Sequence, residues 1–353
     1  MKNILYFTGA GFSAPLGIPV MSNFVQKSKD LYQEDNVKYA DFSKIFALID
    51  DLSKIKLHIE LDLRNIEDIF SLLEMKHFIE GNSDSLKLYK KYIEDTITSL
   101  TPTSILKENI ENIGNWQEFW ITYKDKNDFS SVNIASFIKY LCGIDLGKNF
   151  VSGRGNVVSS SVRTNRNYKY SLVTLNYDLF PELCIDFINE NYPNSNGNKY
   201  YISSEKDSQL QYIKLHGSVG GNINLPSWNK VGNAPESQSW KAAFELLKDA
   251  NEIRILGYSL PDTDAYVKYL FGIALRDSFN LQKIDVITLD SDGKTKERFT
   301  NIFENSKILR FREHGDLNHY MSRLFTDNVV RDYWISDQIF ENRHESFMTD
   351  SSY

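Results

Sequence analysis

Short apolar runs, each closed by a glycine or polar turn, recur along the chain. Lys2–Phe7 meets Gly9-Ala10-Gly11, and Tyr170–Leu175 ends at Asn176-Tyr177-Asp178. Tyr212–Leu215, Ile253–Leu256, Ile284–Leu289 and Ile308–Phe311 share this make-up: short, rich in branched or aromatic residues, polar or glycine-flanked at the borders. These are strand candidates. Between them apolar residues return with a helical period. In Ser239–Ala250, for example, Trp240, Ala243, Phe244 and Leu247 share one face. Strands alternating with helices predict an α/β protein, a Rossmann-like, doubly wound parallel sheet covered on both sides.

The long stretch between the first two strand candidates has another rhythm. Ile45, Leu48, Ile49 and Leu52 keep a helical period, as do Ile66, Ile69, Phe70 and Leu73, followed by Tyr89, Tyr92 and Ile93. Repeated amphipathic helices predict a large helical insertion over 25–164, dividing the α/β domain into 1–24 and 165–325. The loop-like Val151-Ser152-Gly153-Arg154-Gly155-Asn156 closes it and runs on through Ser159-Ser160-Ser161. The basic residues there, Arg154, Arg163, Arg166 and Lys169, read most simply as a solvated loop. Residues 326–353 are polar and read as a C-terminal tail, mobile or docked.

Charge and cysteine content narrow the function classes. Forty basic residues against 47 acidic give a net charge of −7, which disfavours direct nucleic-acid binding. Two cysteines, Cys142 and Cys184, cannot build a disulfide framework or a four-thiolate metal site. No apolar run approaches the roughly 18 residues of a membrane span. The start reads as a strand and glycine turn in place of a secretory signal. A cytoplasmic protein with no membrane partner is expected.

Gly9-Ala10-Gly11-Phe12-Ser13-Ala14 satisfies G-x-G-x-x-(G/A) after a strand. Such glycines permit a tight turn and let backbone N–H groups approach a pyrophosphate, although an ordinary structural turn fits the same residues. Asp30, at the spacing where dinucleotide folds carry a ribose-binding acid, lies in the polar stretch Ser28–Glu34, which ends no strand. A ribose acid must come from elsewhere. His216 is a candidate base, because an unperturbed imidazole titrates near ~6.5; a structural histidine is the competing reading. Asn176, at a strand end, offers one acceptor and two donors. His314, Asp316 and His319 suit no common zinc spacing, and His58, His77 and His344 carry no pattern.

Gly9-Ala10-Gly11-Phe12-Ser13 followed by Gly17-Ile18-Pro19 resembles the first loop of the sirtuin family, G-A-G-x-S with G-I-P a few residues on. Thr174-Leu175-Asn176-Tyr177-Asp178 is similar to the family's T-x-N-x-D, Lys214-Leu215-His216-Gly217-Ser218 to its H-G-S segment, and Gly257-Tyr258-Ser259-Leu260 to its G-x-S-L turn. Thr288-Leu289-Asp290 falls where the family holds the adenosine ribose, and Gly315-Asp316-Leu317 resembles the G-D-x turn beside the adenine. The departures are informative. Protein-deacylating sirtuins carry two C-x-x-C pairs on zinc, absent here, and an aspartate, phenylalanine and arginine where this chain has Val20-Met21-Ser22-Asn23 after Pro19. Tyr177 replaces an aliphatic residue. With Asn65-Ile66-Glu67-Asp68-Ile69-Phe70, these features resemble the zinc-less bacterial sirtuin-like NAD hydrolases of antiphage defence, among them the HerA-associated type.

The resemblance implies an NAD glycohydrolase that gives nicotinamide and ADP-ribose. It implies Asn176 and His216 as catalytic residues, and Gly9, Ala10, Gly11, Ser13, Asp178, Gly257, Ser259, Asp290 and Leu317 as NAD contacts, with no metal. Asp290 would pair with the adenosine ribose and disfavour a 2′-phosphate, so NAD is expected over NADP. Asp262 and Asp264 read as helix caps. The chemistry is consistent: nicotinamide leaves NAD as a neutral base, so the site must stabilise an oxocarbenium-like ribose and present a water. The branch implies NAD depletion in antiphage defence by a homo-oligomer, held through the insertion. Its expected control is a separately encoded sensor or ATPase, such as a HerA-type translocase. Competing expectations are cyclic ADP-ribose formation, ADP-ribosyl transfer, and a non-hydrolytic NAD- or ADP-ribose-binding module.

Overall fold

The computed structural model describes residues 1–54, 62–102, 130–151, 155–192, 194, 196–221, 223, 234–261, 264–303, 307–312, 315–325 and 335–350. Seven parallel strands form its sheet in the order β5-β6-β4-β1-β7-β8-β9. They are β1 (Lys2–Thr8), β4 (Tyr168–Thr174), β5 (Ile202–Ser203), β6 (Leu210–Lys214), β7 (Glu252–Leu256), β8 (Lys283–Ile287) and β9 (Leu309–Arg312). From β1 the chain adds β4, then β5 at the edge with β6 between them, and returns to build β7, β8 and β9 outward on the other side. The order therefore reverses beside β1, at the β1/β7 crevice where open α/β sheets place ligands. This is the doubly wound α/β class expected from the alternating pattern.

Strand alternation sorts the side chains into two cores. Leu5, Phe7, Ile253, Ile255, Ile284 and Val286 face one helical layer, α8 (Ala234–Asp249), α9 (Ala265–Arg276) and α10 (Lys294–Ile302). Ile4, Tyr6, Tyr170 and Leu172 face the other, α6 (Ser130–Leu141), α7 (Phe180–Asn191), α11 (Leu317–Leu324) and α12 (Asp337–Thr349). A third core belongs to α2 (Phe24–Glu34), α3 (Phe42–Ser53), α4 (Ile66–Glu80) and α5 (Asp84–Leu100). Its centre is Phe42, Ile45, Ile69, Tyr89, Tyr92 and Ile93, and Val219 and Ile223 from the segment after β6 join it. The helical module thus stands beside the end of the sheet at which the strands leave.

Two segments differ from the sequence expectation. Within 25–164, α6 packs on the sheet with Ile134, Phe137 and Ile138. The stretch read as a loop instead contributes to an antiparallel ribbon, β2 (Ile144–Val151) with β3 (Gly155–Val162). Ser159, Ser160 and Ser161 pair there with Gly147, Leu146 and Asp145. Strand pairing satisfies the backbone whatever the side-chain polarity, so a serine run hides a strand. Arg154 lies outside the described residues.

The second is the segment expected as a tail, mobile or docked; it is docked, as a helix that the sequence did not show. Residues 337–349 form α12, whose inner face is both apolar and charged: Phe340 and Phe347 are buried, and so are Asp337, Glu341 and His344. Their partners come from other strands, helices and turns. Glu341 accepts from Arg254 on β7 and from the Tyr170 hydroxyl (2.7 Å). Asp337 meets Arg163 (3.2 Å) and the Tyr140 hydroxyl (2.9 Å). His344 bridges Asp285 and the Tyr320 hydroxyl, each at 2.9 Å. A helix whose buried face is ionic cannot announce itself by apolar period.

This network sets a pH dependence. Burial opposes ionisation of Glu252, but Arg254, Lys2 and Lys283 outweigh it and bring its carboxyl down to about 2. Burial likewise opposes Glu345, where Arg310 and Lys283 prevail and bring it to about 2. Both folded values lie below the unfolded one, so their stabilisation is complete above the usual carboxyl range, about 4.3, and lost as pH falls toward 2. Acid titration followed by circular dichroism is expected to show unfolding inside that window, at higher pH once Lys283 is replaced by Met. An unchanged midpoint in Lys283→Met would contradict this.

Candidate active site

At the β1/β7 crevice two glycine turns lie against each other. After β1 the chain enters the four-residue helical turn α1 (Ala10–Ser13). The Gly9 and Gly11 amides donate to the carbonyls of Leu256 (3.1 Å) and Gly257 (2.9 Å). A Cβ on Gly11 would stand 2.8 Å from the Gly257 carbonyl oxygen, and one on Gly257, at φ +59°, would stand 2.3 Å from the Phe12 nitrogen. These positions need glycine because two backbones touch. The Gly11 amide is spent on this contact. Leu260, at φ +52° and fully buried, holds the second turn in a conformation side chains seldom adopt.

The turn after β4 carries the densest polar geometry. The Asn176 amide group donates to the Ser13 hydroxyl (2.8 Å), which donates in turn to Asp178 Oδ2 (2.7 Å). Asp178 Oδ1 also accepts from the Phe180 amide at the start of α7 (3.2 Å). The Thr174 hydroxyl accepts from the Asn176 amide nitrogen (3.0 Å), and Lys214 Nζ donates to the carbonyls of Tyr177 and Asp178 and to Glu182 (3.3 Å). Asn176 is therefore held by its own backbone and by a relay to Asp178. Asp178 itself is buried and already committed as an acceptor.

His216 follows β6 and is 3% exposed. Its ring lies 6.1 Å from the Tyr177 ring at 30°. Its Nε2 is 3.7 Å from Asp264 Oδ1, and Asp264 Oδ2 accepts from the Tyr258 hydroxyl (3.0 Å). Burial pushes the Tyr177 phenol well up, reinforced by the carboxylates of Glu67 and Asp264. Tyr258 is raised for the same reason, burial first and then Asp264. Both phenols stay protonated, and that of Tyr258 donates to Asp264. The Tyr177 hydroxyl is buried, with no hydrogen-bond partner among the described residues.

These groups open on one cavity of about 700 Å³, within the range of small-molecule sites. Gly9, Ala10, Gly11, Ser13, Asn176, Asp178, His216, Gly257, Ser259 and Leu317 all line it. Sequence positions from five separate blocks thus meet at one place. Asp290 is not in the lining; its neighbours Thr288 and Leu289 are. The Asp290 carboxylate accepts from the Thr295 (3.1 Å) and Lys296 (2.9 Å) amides and so caps α10. A preference for NAD over NADP draws no support from its placement. Asp316 lines the cavity but spends its side chain on the Asn318 amide at the start of α11 (3.0 Å).

The helical module supplies residues that the sequence left in its core: Asn65, Ile66 and Glu67 at the start of α4, with Phe24 and Ile97, also line the cavity. Asp264, Tyr258 and Tyr177 were likewise not assigned a place around His216. The local sequence could flag only Tyr177, as a phenol beside the asparagine. His58, Asp262 and His314 lie outside the described residues. His319 packs its ring edge-on against Phe347 (5.7 Å). Among the described residues, Asp285, His344 and Glu345 are grouped closely enough for a cation. Arg310 donates to both carboxylates, and Lys283 pairs with Glu345; these cations already balance the cluster.

No protein-family model and no curated protein matches the chain. Among solved structures it is similar to a Sir2 bound to acetylated peptide, at 12% identity and a TM-score of 0.37, over 92% of each chain. It is also similar to a Sir2–p53 peptide–NAD+ complex, at 12% identity and a TM-score of 0.36, over 92% of each chain. A Sir2Tm bound to a propionylated peptide matches at 12% identity and a TM-score of 0.34, again over 92% of each. Such likeness assigns no role to any residue; the α/β class stands on the strand order and the site on its own geometry.

Proposed function

We propose that the chain is an NAD glycohydrolase, cleaving NAD and water to nicotinamide, ADP-ribose and a proton. The observation that carries this reading is the convergence of Asn176, Asp178 and His216 on one cavity at the point where the strand order reverses. Asn176, fixed through Ser13 and Asp178, presents an amide to ribose hydroxyls and to the attacking water. His216 accepts the proton released as the C–O bond to the anomeric carbon forms and the C–N bond to nicotinamide breaks. Tyr177 adds a protonated phenol to the same wall. The fixed dipoles and the carboxylates of the wall favour the positive charge that develops on the ribose. The wider expectation, an NAD-depleting cytoplasmic effector of antiphage defence in a homo-oligomer governed by a HerA-type partner, belongs to the same proposal.

The test is NAD consumption by the purified chain, with products separated by chromatography beside Asn176→Ala. Matching yields of nicotinamide and ADP-ribose are expected, with kcat lowered about 100-fold in the variant. Cyclic ADP-ribose as the main product, or NAD bound but left intact, would overturn the hydrolase reading.

A further inference from the structure

The histidine that the proposed reaction uses is buried against a carboxylate. Asp264, at the start of α9, is 2% exposed and places Oδ1 3.7 Å from His216 Nε2. At that separation the two are not hydrogen-bonded while the imidazole is neutral; they become an ion pair once it is protonated. The carboxylate is itself fixed, since its other oxygen accepts from the Tyr258 hydroxyl, whose turn is locked by the Gly11–Gly257 contact. Asp264 gives α9 no side-chain cap hydrogen bond. The capping role its sequence position predicts therefore does not account for it.

We propose that Asp264 is a positioning residue for His216, aiming the imidazole at the cavity and stabilising the imidazolium that forms when it accepts a proton. This rests on the NAD-cleavage reading for its catalytic meaning. The pairing itself is independent of which substrate occupies the cavity. Other groups surround the ring: Tyr177 from the turn after β4, Tyr258 from the turn after β7, and Glu67 from α4, which acts on both tyrosines. Lys214, two residues earlier, is turned to the carbonyls after β4 and to Glu182. Asp264 places an oxygen 3.7 Å from Nε2, and Glu67 acts on both phenols.

The decisive measurement is the titration of His216 by NMR in histidine-labelled full-length protein, its signal assigned by loss in His216→Gln. Asp264→Asn is expected to lower the His216 pKa by about one unit or more, because an opposite charge within about 4–6 Å favours the charged form. Asp264→Ser, which also keeps a helix-capping side chain, is expected to shift it the same way. Glu67→Gln is expected to shift it less. In the NAD assay the acid limb of the kcat/KM profile should move down with the titration while the Kd for NAD stays within about twofold. Titration unchanged in both Asp264 variants, or a shift in Glu67→Gln as large as theirs, overturns the proposal even if NAD is cleaved. Conversely, a wild type that leaves NAD intact while Asp264→Asn moves the titration sinks the hydrolase reading and upholds the pairing.

Discussion

Replacing His216 with alanine is expected to cut the rate of NAD cleavage by about two to four orders of magnitude while changing NAD affinity by no more than about threefold. The asymmetry follows from where the ring sits. His216 is one side chain in a cavity of about 700 Å³ that the Gly9–Gly11 turn, the Gly257 turn and the Gly315–Leu317 turn also line. In the proposed reaction, ground-state binding would be spread over those turns. Proton acceptance is not: Asp178 is occupied by Ser13 and the α7 amide, and the phenols of Tyr177 and Tyr258 are held protonated. Among these wall groups, the imidazole is the side-chain type suited to accept a proton near neutral pH. The expected signature is a fall in kcat with KM nearly constant, together with loss of the acid limb of the pH profile. Steady-state kinetics beside calorimetric NAD binding reads both. A rate within tenfold of wild type, with the limb retained, would place the base elsewhere.

How much of this was legible differs from block to block, for physical reasons. The β1, β4, β6, β7 and β8 strands were visible because strands largely buried on both faces write apolar runs, and β9, at the edge, showed only as a short branched and aromatic segment. Gly9, Gly11 and Gly257 were flagged as ligand glycines, yet their positions are already required by the contact of two backbones. Asn176 and His216 stand where short polar motifs end strands, so the local sequence marked them as candidates, and both line the cavity. Glu67 and Asp264 stayed hidden. They reach the same wall from chain positions nearly 200 residues apart, and each looks locally like a helix-start acid. Asp290 shows the converse: an acid after a strand reads alike whether it faces a ribose or, as here, the amides of its own helix. The Asp337, Glu341 and His344 face of α12 escaped notice because the charges that make it a buried face lie far away in sequence.

The largest loss of stability is expected from Arg254→Met, about 3–5 kcal/mol, the cost of breaking a buried ion pair from one side. Arg254 is fully buried in the middle of the sheet, on the face turned toward α12. It donates to Glu252 (2.8 Å), to both oxygens of Glu341 and to the Tyr6 hydroxyl (2.8 Å). Methionine keeps much of the volume but leaves two buried carboxylates facing apolar surface. Glu252 retains Lys2 and Lys283, whereas Glu341 keeps the Tyr170 hydroxyl. The charge left most exposed to desolvation is thus on α12, and α12 is the element expected to come away. Because α12 packs on α11, whose first residue Leu317 lines the cavity, NAD binding should weaken with it. Urea unfolding and limited proteolysis near residue 335 would measure the two effects separately. Adding Glu341→Met to Arg254→Met is expected to return most of the loss, since a buried ion pair exchanged for well-packed apolar residues is close to neutral. If the double variant is no more stable than Arg254→Met alone, the loss is not one of stranded charge and the ionic docking of α12 must be reconsidered.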